Sequence, residues 1–275
     1  MGFFGGKEKV DPNSEHRDWQ LVSAIAQESL KEQKRARRWG IFFKLFACFY
    51  VVFIFVGITQ QTSDEGYATT DEHTAIVYLE GVIAADQPAN ANDLAHALRD
   101  AFENEYSKAV ILAINSPGGS PVQSGYIYDE IKRLRTLHPS KKLYAVISDL
   151  GASGGYYIAA AADDIYADKS SLVGSIGVTA SSFGFVDLMN KLGVERRTYT
   201  SGEHKGFLDP FMPQRQDETL FWESVLESTH EQFIQAVKSG RGDRLVADEK
   251  LYSGLIWNGE QALEKGLNDG LGSAG

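Results

Sequence analysis

Cysteine is nearly absent. Cys48 is the single one in 275 residues, and it lies inside the most apolar run of the chain, so neither a disulfide framework nor a thiolate nucleophile is expected. Histidine is sparse as well. His16, His73, His96, His138, His204 and His230 include no pair at i, i+3 or i+4, so no metal site is expected. Basic charge is in deficit, with 27 Lys and Arg against 37 Asp and Glu and a net charge of −10. Phosphate backbones demand clustered cations on a soluble face, which argues against a nucleic-acid partner. Internal repeats and low-complexity tracts are also missing.

What remains is 43% hydrophobic and 23% charged, ordinary globular composition with material for a sizeable core. The cations gather once, in KEQKRARR (31–38), directly before WGIFFKLFACFYVVFIFVGIT (39–59). At ~1.5 Å per residue that run makes a helix of about 30 Å, the thickness of a bilayer core. Its one charge, Lys44, lies near the end and can snorkel. Basic residues before the run and Asp64, Glu65, Asp71 and Glu72 after it predict a cytoplasmic segment 1–38, a transmembrane helix 39–59 and an extracytoplasmic remainder. No short basic start or small-residue cleavage site is visible, so the span reads as an uncleaved single-pass anchor. Residues 60–73 read as a polar linker.

From residue 74 strands and helices alternate. TAIVYLEGVI (74–83), AVILAIN (109–115), LYAVISD (143–149), a short run at 165–167 and RRTYT (196–200) read as strands. NDLAHALRDAFEN (92–104), PVQSGYIYDEIKRLR (121–135), FGFVDLMNKLG (183–193) and 217–238 read as helices, the second of these with Ile127, Ile131 and Leu134 on one face. In the last helix Trp222, Leu226, Thr229, Phe233 and Val237 fall inward. Such alternation predicts one α/β domain over 74–275, a mostly parallel sheet wrapped by helices.

Two strand-to-helix junctions carry glycines. NSPGGS (115–120) follows one buried strand and GASGGYYI (151–158) the next. Adjacent glycines let backbone amides approach a ligand closely, which suits an oxyanion; an ordinary Pro-Gly turn would also account for the first motif. Successive junctions of a parallel sheet open on the same carboxyl edge, so Ser153 on the second can face amides on the first. A serine needs a base. His204 and Lys205 both lie in TSGEHKGFLDPF (200–211), and a lysine kept away from carboxylates serves as base in Ser-Lys hydrolases.

Taken together, INSPGG, SGGYYIA, VGSIGV and SGEHKGFLDPF, in this order and spacing after an apolar span, closely resemble the signal peptide peptidase A family in its short single-domain form. The resemblance covers about residues 74–271. It implies a ClpP/crotonase-like fold and a membrane-anchored serine protease with Ser153 as nucleophile and Lys205 as general base. It further implies that Ser175 orients the lysine, that Gly119 and Gly154 supply oxyanion amides, and that Gly118 shapes the turn. No cofactor or metal is implied. Expected partners are peptide substrates such as signal peptide remnants or other apolar extended segments, the lipid bilayer and further copies of the chain. Family members form ring-like or dome-like oligomers in which one protomer can supply the lysine for another's serine. The expected location is a bacterial-type inner (plasma) membrane with the catalytic domain periplasmic or extracytoplasmic. Three rivals stand beside this reading: a crotonase-type acyl-CoA enzyme, a catalytically silent membrane scaffold of the same fold, and a Ser-His hydrolase using His204.

Overall fold

In the computed structural model, residues 31, 35, 37–54 and 71–273 are described. The chain divides into two units, Met1–Ala68 and Thr69–Gly275. In the first, residues 37–54 form helix α1, whose large apolar side chains from Trp39 to Ile54 are all exposed. The rings of Trp39, Phe42, Phe43 and Phe46 pack against one another along it. Among the described residues no helix is long and apolar enough to cross a membrane. Residues 55–59 of the expected span, the linker through residue 70 and most of the segment 1–38 lie outside the described residues.

The second unit is built on a seven-stranded sheet of order β1-β2-β3-β4-β7. Strands β1 (His73–Glu80), β2 (Ser107–Ser116), β3 (Lys142–Ala152), β4 (Asp164–Ala167) and β7 (Gly270–Leu271) are all parallel. The central strand β2 buries Val110, Leu112, Ala113 and Ile114, and the unbroken apolar run AVILAI is what a strand covered on both faces requires. Strand β3 is longer than its neighbours. Beyond the end of β4 its last residues, Leu150–Ala152, pair instead with β5 (Leu172–Gly174), which in turn takes β6 (Ile256–Asn258) antiparallel. The residue after β3, Ser153, thus emerges where the sheet changes partner.

Helices α2 (Ala91–Glu103), α3 (Pro121–Leu137) and α4 (Gly154–Ala159) follow the strands, and α5 (Val186–Leu192), α6 (Gln216–Arg241) and α7 (Gly259–Glu264) complete the unit. Helix α3 begins with Ser120 accepting from the Gln123 amide and Pro121 at its first position, a cap and a preset φ that start the helix sharply. Its Ile127, Ile131 and Leu134 are fully buried, as their spacing predicts. Helix α4 and the turn after it carry Ala159, Ala160, Ala161 and Ala162, all buried. Small residues are needed there because Gly240 of α6 crosses so close that a Cβ on it would overlap the Ala160 carbonyl.

The region after β5 is different in kind. No residue from 177 to 232 is buried. RRTYT, read as a strand, is not one: Arg196 and Arg197 pair with Asp209 and Glu195, and Tyr199 is 91% exposed. β-propensity cannot make a strand where the chain meets no sheet edge. The helix expected over 183–193 is trimmed to α5 and closed by Gly193 at φ 67°. The segment packs mainly on itself, with Phe185 stacked on Phe211 at 5.3 Å and Phe207 edge-on to Trp222 at 6.1 Å.

One ion pair closes the C-terminal end. Arg241, whose side chain is 1% exposed, donates to both oxygens of Asp269 at 2.7 and 2.9 Å and to the Gly266 carbonyl at 3.0 Å. Asp269 also accepts from the Ile165 amide at 2.8 Å, which ties β4 to the segment leading into β7. Burial pushes the Asp269 carboxyl up, but the bonds from Arg241 and Ile165 and the charges of Arg241 and Arg244 outweigh it, and its pKa is lowered. Arg241→Met removes the bidentate partner of that carboxylate and leaves it the Ile165 amide and Arg244 at 3.3 Å, and a loss of about 2 kcal/mol in denaturant unfolding is expected. A depressed carboxylate stabilises the fold above its unfolded pKa and ceases to as pH falls through the folded value. Wild-type melting temperature should therefore drop on acidification below about pH 4, and that of Arg241→Met should drop less over the same interval.

Candidate active site

The end of β2 is tied back on itself. The Ser116 hydroxyl donates to the Gly81 carbonyl at 2.6 Å and accepts from the Gly118 amide at 3.1 Å. The Gly118 carbonyl accepts from Ile83 at 2.9 Å, and Ser120 donates to the Ile83 carbonyl at 2.7 Å. These bonds fix the Gly118-Gly119 turn from both sides. Both residues hold positive φ, 92° and 154°, the region in which glycine alone is unstrained. A Cβ on Gly118 would lie 2.5 Å from the Gly154 nitrogen and 2.7 Å from the Ser153 Cβ. The two glycine junctions therefore meet, as successive carboxyl-edge turns should.

Ser153 sits at φ 52° and ψ −124°, a sparsely occupied conformation for a residue with a Cβ. Its amide donates to the Gly174 carbonyl at 2.8 Å, and its own carbonyl accepts from Tyr157 at 2.9 Å in the first turn of α4. Half-buried, it stands at the abrupt change from strand to helix, a placement that aims a side chain out of the sheet edge. Among the described residues neither the Gly119 nor the Gly154 amide donates to a protein acceptor. That of Gly154 is an orphan donor at a helix start. Ser153, Gly119 and Gly154 border one pocket of ≈ 40 Å³. The arrangement offers a hydroxyl beside two unpaired N–H groups, the elements of acyl transfer through an oxyanion.

Ser175, in the loop after β5, also has positive φ, 53°. Its amide is held by the Leu255 carbonyl at 2.8 Å, and the preceding carbonyl, that of Gly174, is the one that holds Ser153. Lys205 stands apart. It lies in an exposed loop, its amide bonded to the Gly202 carbonyl at 3.2 Å, and it does not line the pocket at Ser153. His204 is turned to Glu218 at 3.2 Å and does not line it either. A larger cavity of ≈ 520 Å³ lies within the 180–222 segment, bordered by Phe183, Glu203, Met212 and Trp222 among others. Among the described residues no group of His, Cys, Asp or Glu is placed to hold a metal ion.

Among the pocket residues, Ser124 of α3 and Thr229, Gln232 and Phe233 of α6 lie outside the motifs. The i, i+4 spacing of Thr229 and Phe233 marks them as inward-facing. Nothing in the sequence says that α6 reaches the end of β3.

Comparison with known proteins bears on the chemistry. Residues 135–274 match the model for peptidase family S49, a stretch that contains Ser153, Ser175 and Lys205. A putative signal peptide peptidase SppA of Enterococcus faecium is 32% identical over 223 residues, 78% of this chain and 64% of that protein. A putative protease of Synechocystis sp. is 31% identical over 207 residues, 74% of this chain and 72% of that one. A protein of Brucella abortus named as the Na(+)/H(+) antiporter NhaA is 40% identical over 225 residues, which are 80% of this chain but 30% of that protein. The chain thus spans less than two thirds of the first and third of these relatives. With half of its length matched to the family, and a relative similar over most of its own length, the chain belongs to peptidase family S49.

Proposed function

We propose that the chain is a membrane-anchored serine endopeptidase with Ser153 as nucleophile and Lys205 as general base. The observation that carries this reading is Ser153 itself, held at positive φ between the two unpaired amides of Gly119 and Gly154. In the proposed reaction Ser153 Oγ bonds to the substrate carbonyl carbon while Lys205 Nζ takes the hydroxyl proton. The oxyanion lies between the two amides, whose fixed direction is worth about 3 kcal/mol each in such sites. Collapse of the tetrahedral species breaks the C–N bond, and the lysine ammonium returns its proton to the leaving amine. Water then hydrolyses the acyl-enzyme. Ser175, one residue from the partner of the Ser153 amide, would orient the lysine.

The lysine would come from a neighbouring copy. Two observations support this: Lys205 lies in a segment without a single buried residue, and that segment exposes Phe183, Leu188, Leu192, Val194, Phe221 and Tyr199. Apolar surface of that kind on one stretch suits an oligomer interface. The cations of 31–38 and the exposed apolar side chains of α1 support a single-pass anchor with the peptidase unit on the outer face. Substrates would be signal peptide remnants or other extended, mainly apolar peptides reached at that surface.

A fluorophosphonate probe is expected to label the wild type at Ser153 and to leave Ser153→Ala unlabelled; no labelling of the wild type would sink this reading. Ser153→Ala and Lys205→Ala should each lose at least about ten-thousandfold in kcat. Co-expressed, the two inactive variants should recover measurable cleavage, because a shared dyad regains one intact serine and one intact lysine; a dyad within one chain predicts none. Gly118→Ala, which drives a Cβ into the Gly154 nitrogen, should lower kcat by about a hundredfold or more, read on the same peptide.

A further inference from the structure

The segment without buried residues begins at Gly177, directly after the fully buried Ile176, and returns to the core along α6. Its two ends are joined by one side chain. His230 of α6, half-buried, brings Nε2 to 3.1 Å from the Ile176 carbonyl, 54 positions away in sequence. A carbonyl oxygen only accepts, so Nε2 is the nitrogen that carries hydrogen and donates.

Ser175 immediately precedes Ile176. Its φ of 53° is uncommon for a residue with a Cβ and persists only where the surroundings over-determine it. The backbone of residues 254 and 255 holds the turn from one side: the Ser175 amide donates to the Leu255 carbonyl at 2.8 Å, and the Ile176 carbonyl accepts from the Gly254 amide at 3.0 Å. A Cβ on Gly177 would lie 2.9 Å from the Gly254 Cα, so the two turns pack closely. Among the described residues, His230 is the one side chain that bonds to the backbone of 174–178, and it comes from a second element. The Ser175 hydroxyl makes no hydrogen bond among the described residues, so its direction is set by the backbone that carries it. Thr229, Gln232 and Phe233, the neighbours of His230 on α6, border the pocket at Ser153 together with Gly177. The turn of α6 that reaches Ser153 therefore also pins the Ser175 loop.

We infer that His230 is a positioning residue for Ser175: its Nε2–H holds the Ile176 carbonyl and thereby keeps the Ser175 hydroxyl aimed at the general base. The inference rests on the Ser153 and Lys205 reading, in which Ser175 orients the lysine. It requires His230 neither to change its charge nor to touch substrate.

The test measures cleavage of one apolar peptide by the full chain in detergent micelles, with rates expressed per active site counted by fluorophosphonate labelling, so that misfolded protein does not enter. The proteins compared are wild type, His230→Leu, His230→Gln, Ser175→Ala, and Ser175→Ala combined with His230→Leu. His230→Leu is expected to lower kcat by about tenfold, the loss of one well-made hydrogen bond, with KM unchanged within about twofold. His230→Gln, which keeps an N–H donor on a side chain of similar reach, should return kcat to within about threefold of wild type. In the Ser175→Ala background His230→Leu should cost less than about twofold, because residues that act as one unit are not additive. A histidine that only braces α6 would instead add its full cost to that of Ser175→Ala. Such additivity, no recovery with glutamine, or wild-type kcat in either His230→Leu or Ser175→Ala overturns the positioning role, while labelling at Ser153 leaves the nucleophile standing. If the wild type is never labelled, both fall.

Discussion

The contact between Gly118 and Gly154 is the constraint on which the candidate site depends. At that distance neither residue tolerates a side chain: a Cβ on Gly118 meets the Gly154 nitrogen, and one on Gly154 meets the hydroxyl of Ser124. The approach aligns two amides from different strand-to-helix junctions beside one hydroxyl. It is held from outside by the bonds of Ser116 to Gly81 and of Ile83 to the Gly118 and Ser120 backbone. Preorganisation of this sort is what gives fixed donors their value, because nothing has to reorient as negative charge develops.

The same constraint explains the odd shape of the sheet. Strand β3 outruns β4, and its extension is saturated by β5 rather than left as an open edge. Gly174 at the end of β5 then holds the Ser153 amide, so the serine's strained φ is fixed from the strand side as well as from α4. Trp257 of β6 packs at Gly174, and the Arg241–Asp269 pair clamps α6 to the C-terminal segment behind it. Buried strands and α4 thus hold Ser153 from the sheet side, which keeps the serine in a conformation that costs energy.

Much of this frame was legible in sequence. Unbroken apolar runs marked β2 and β3, and the apolar spacing marked α3, because burial imposes a period that local composition must satisfy. The glycine pairs marked the two junctions for the same reason, a backbone conformation open to few residues. RRTYT misled because a β-prone string is silent about whether a partner strand lies beside it. The Arg241–Asp269 pair, 28 positions apart, and the reach of Thr229 and Phe233 to Ser153 depend on how helix α6 crosses the sheet edge. No local pattern encodes that crossing.

The proposed dyad joins parts of contrasting stability. The serine half rests on a core in which β2, β3 and α4 are buried, and within one chain it already holds Ser153 beside the two unpaired amides of Gly119 and Gly154. The lysine half lies on a segment with nothing buried from 177 to 232, held by stacked phenylalanines and surface ion pairs that contribute little each. Such a segment gains most of its order when its exposed apolar side chains are covered. If a second copy covers them, as the proposed reading requires, one event orders the arm, removes water from the lysine and delivers it to a preformed serine. Activity then follows assembly by mass action, and a lone protomer keeps a shaped site with no base to fire it.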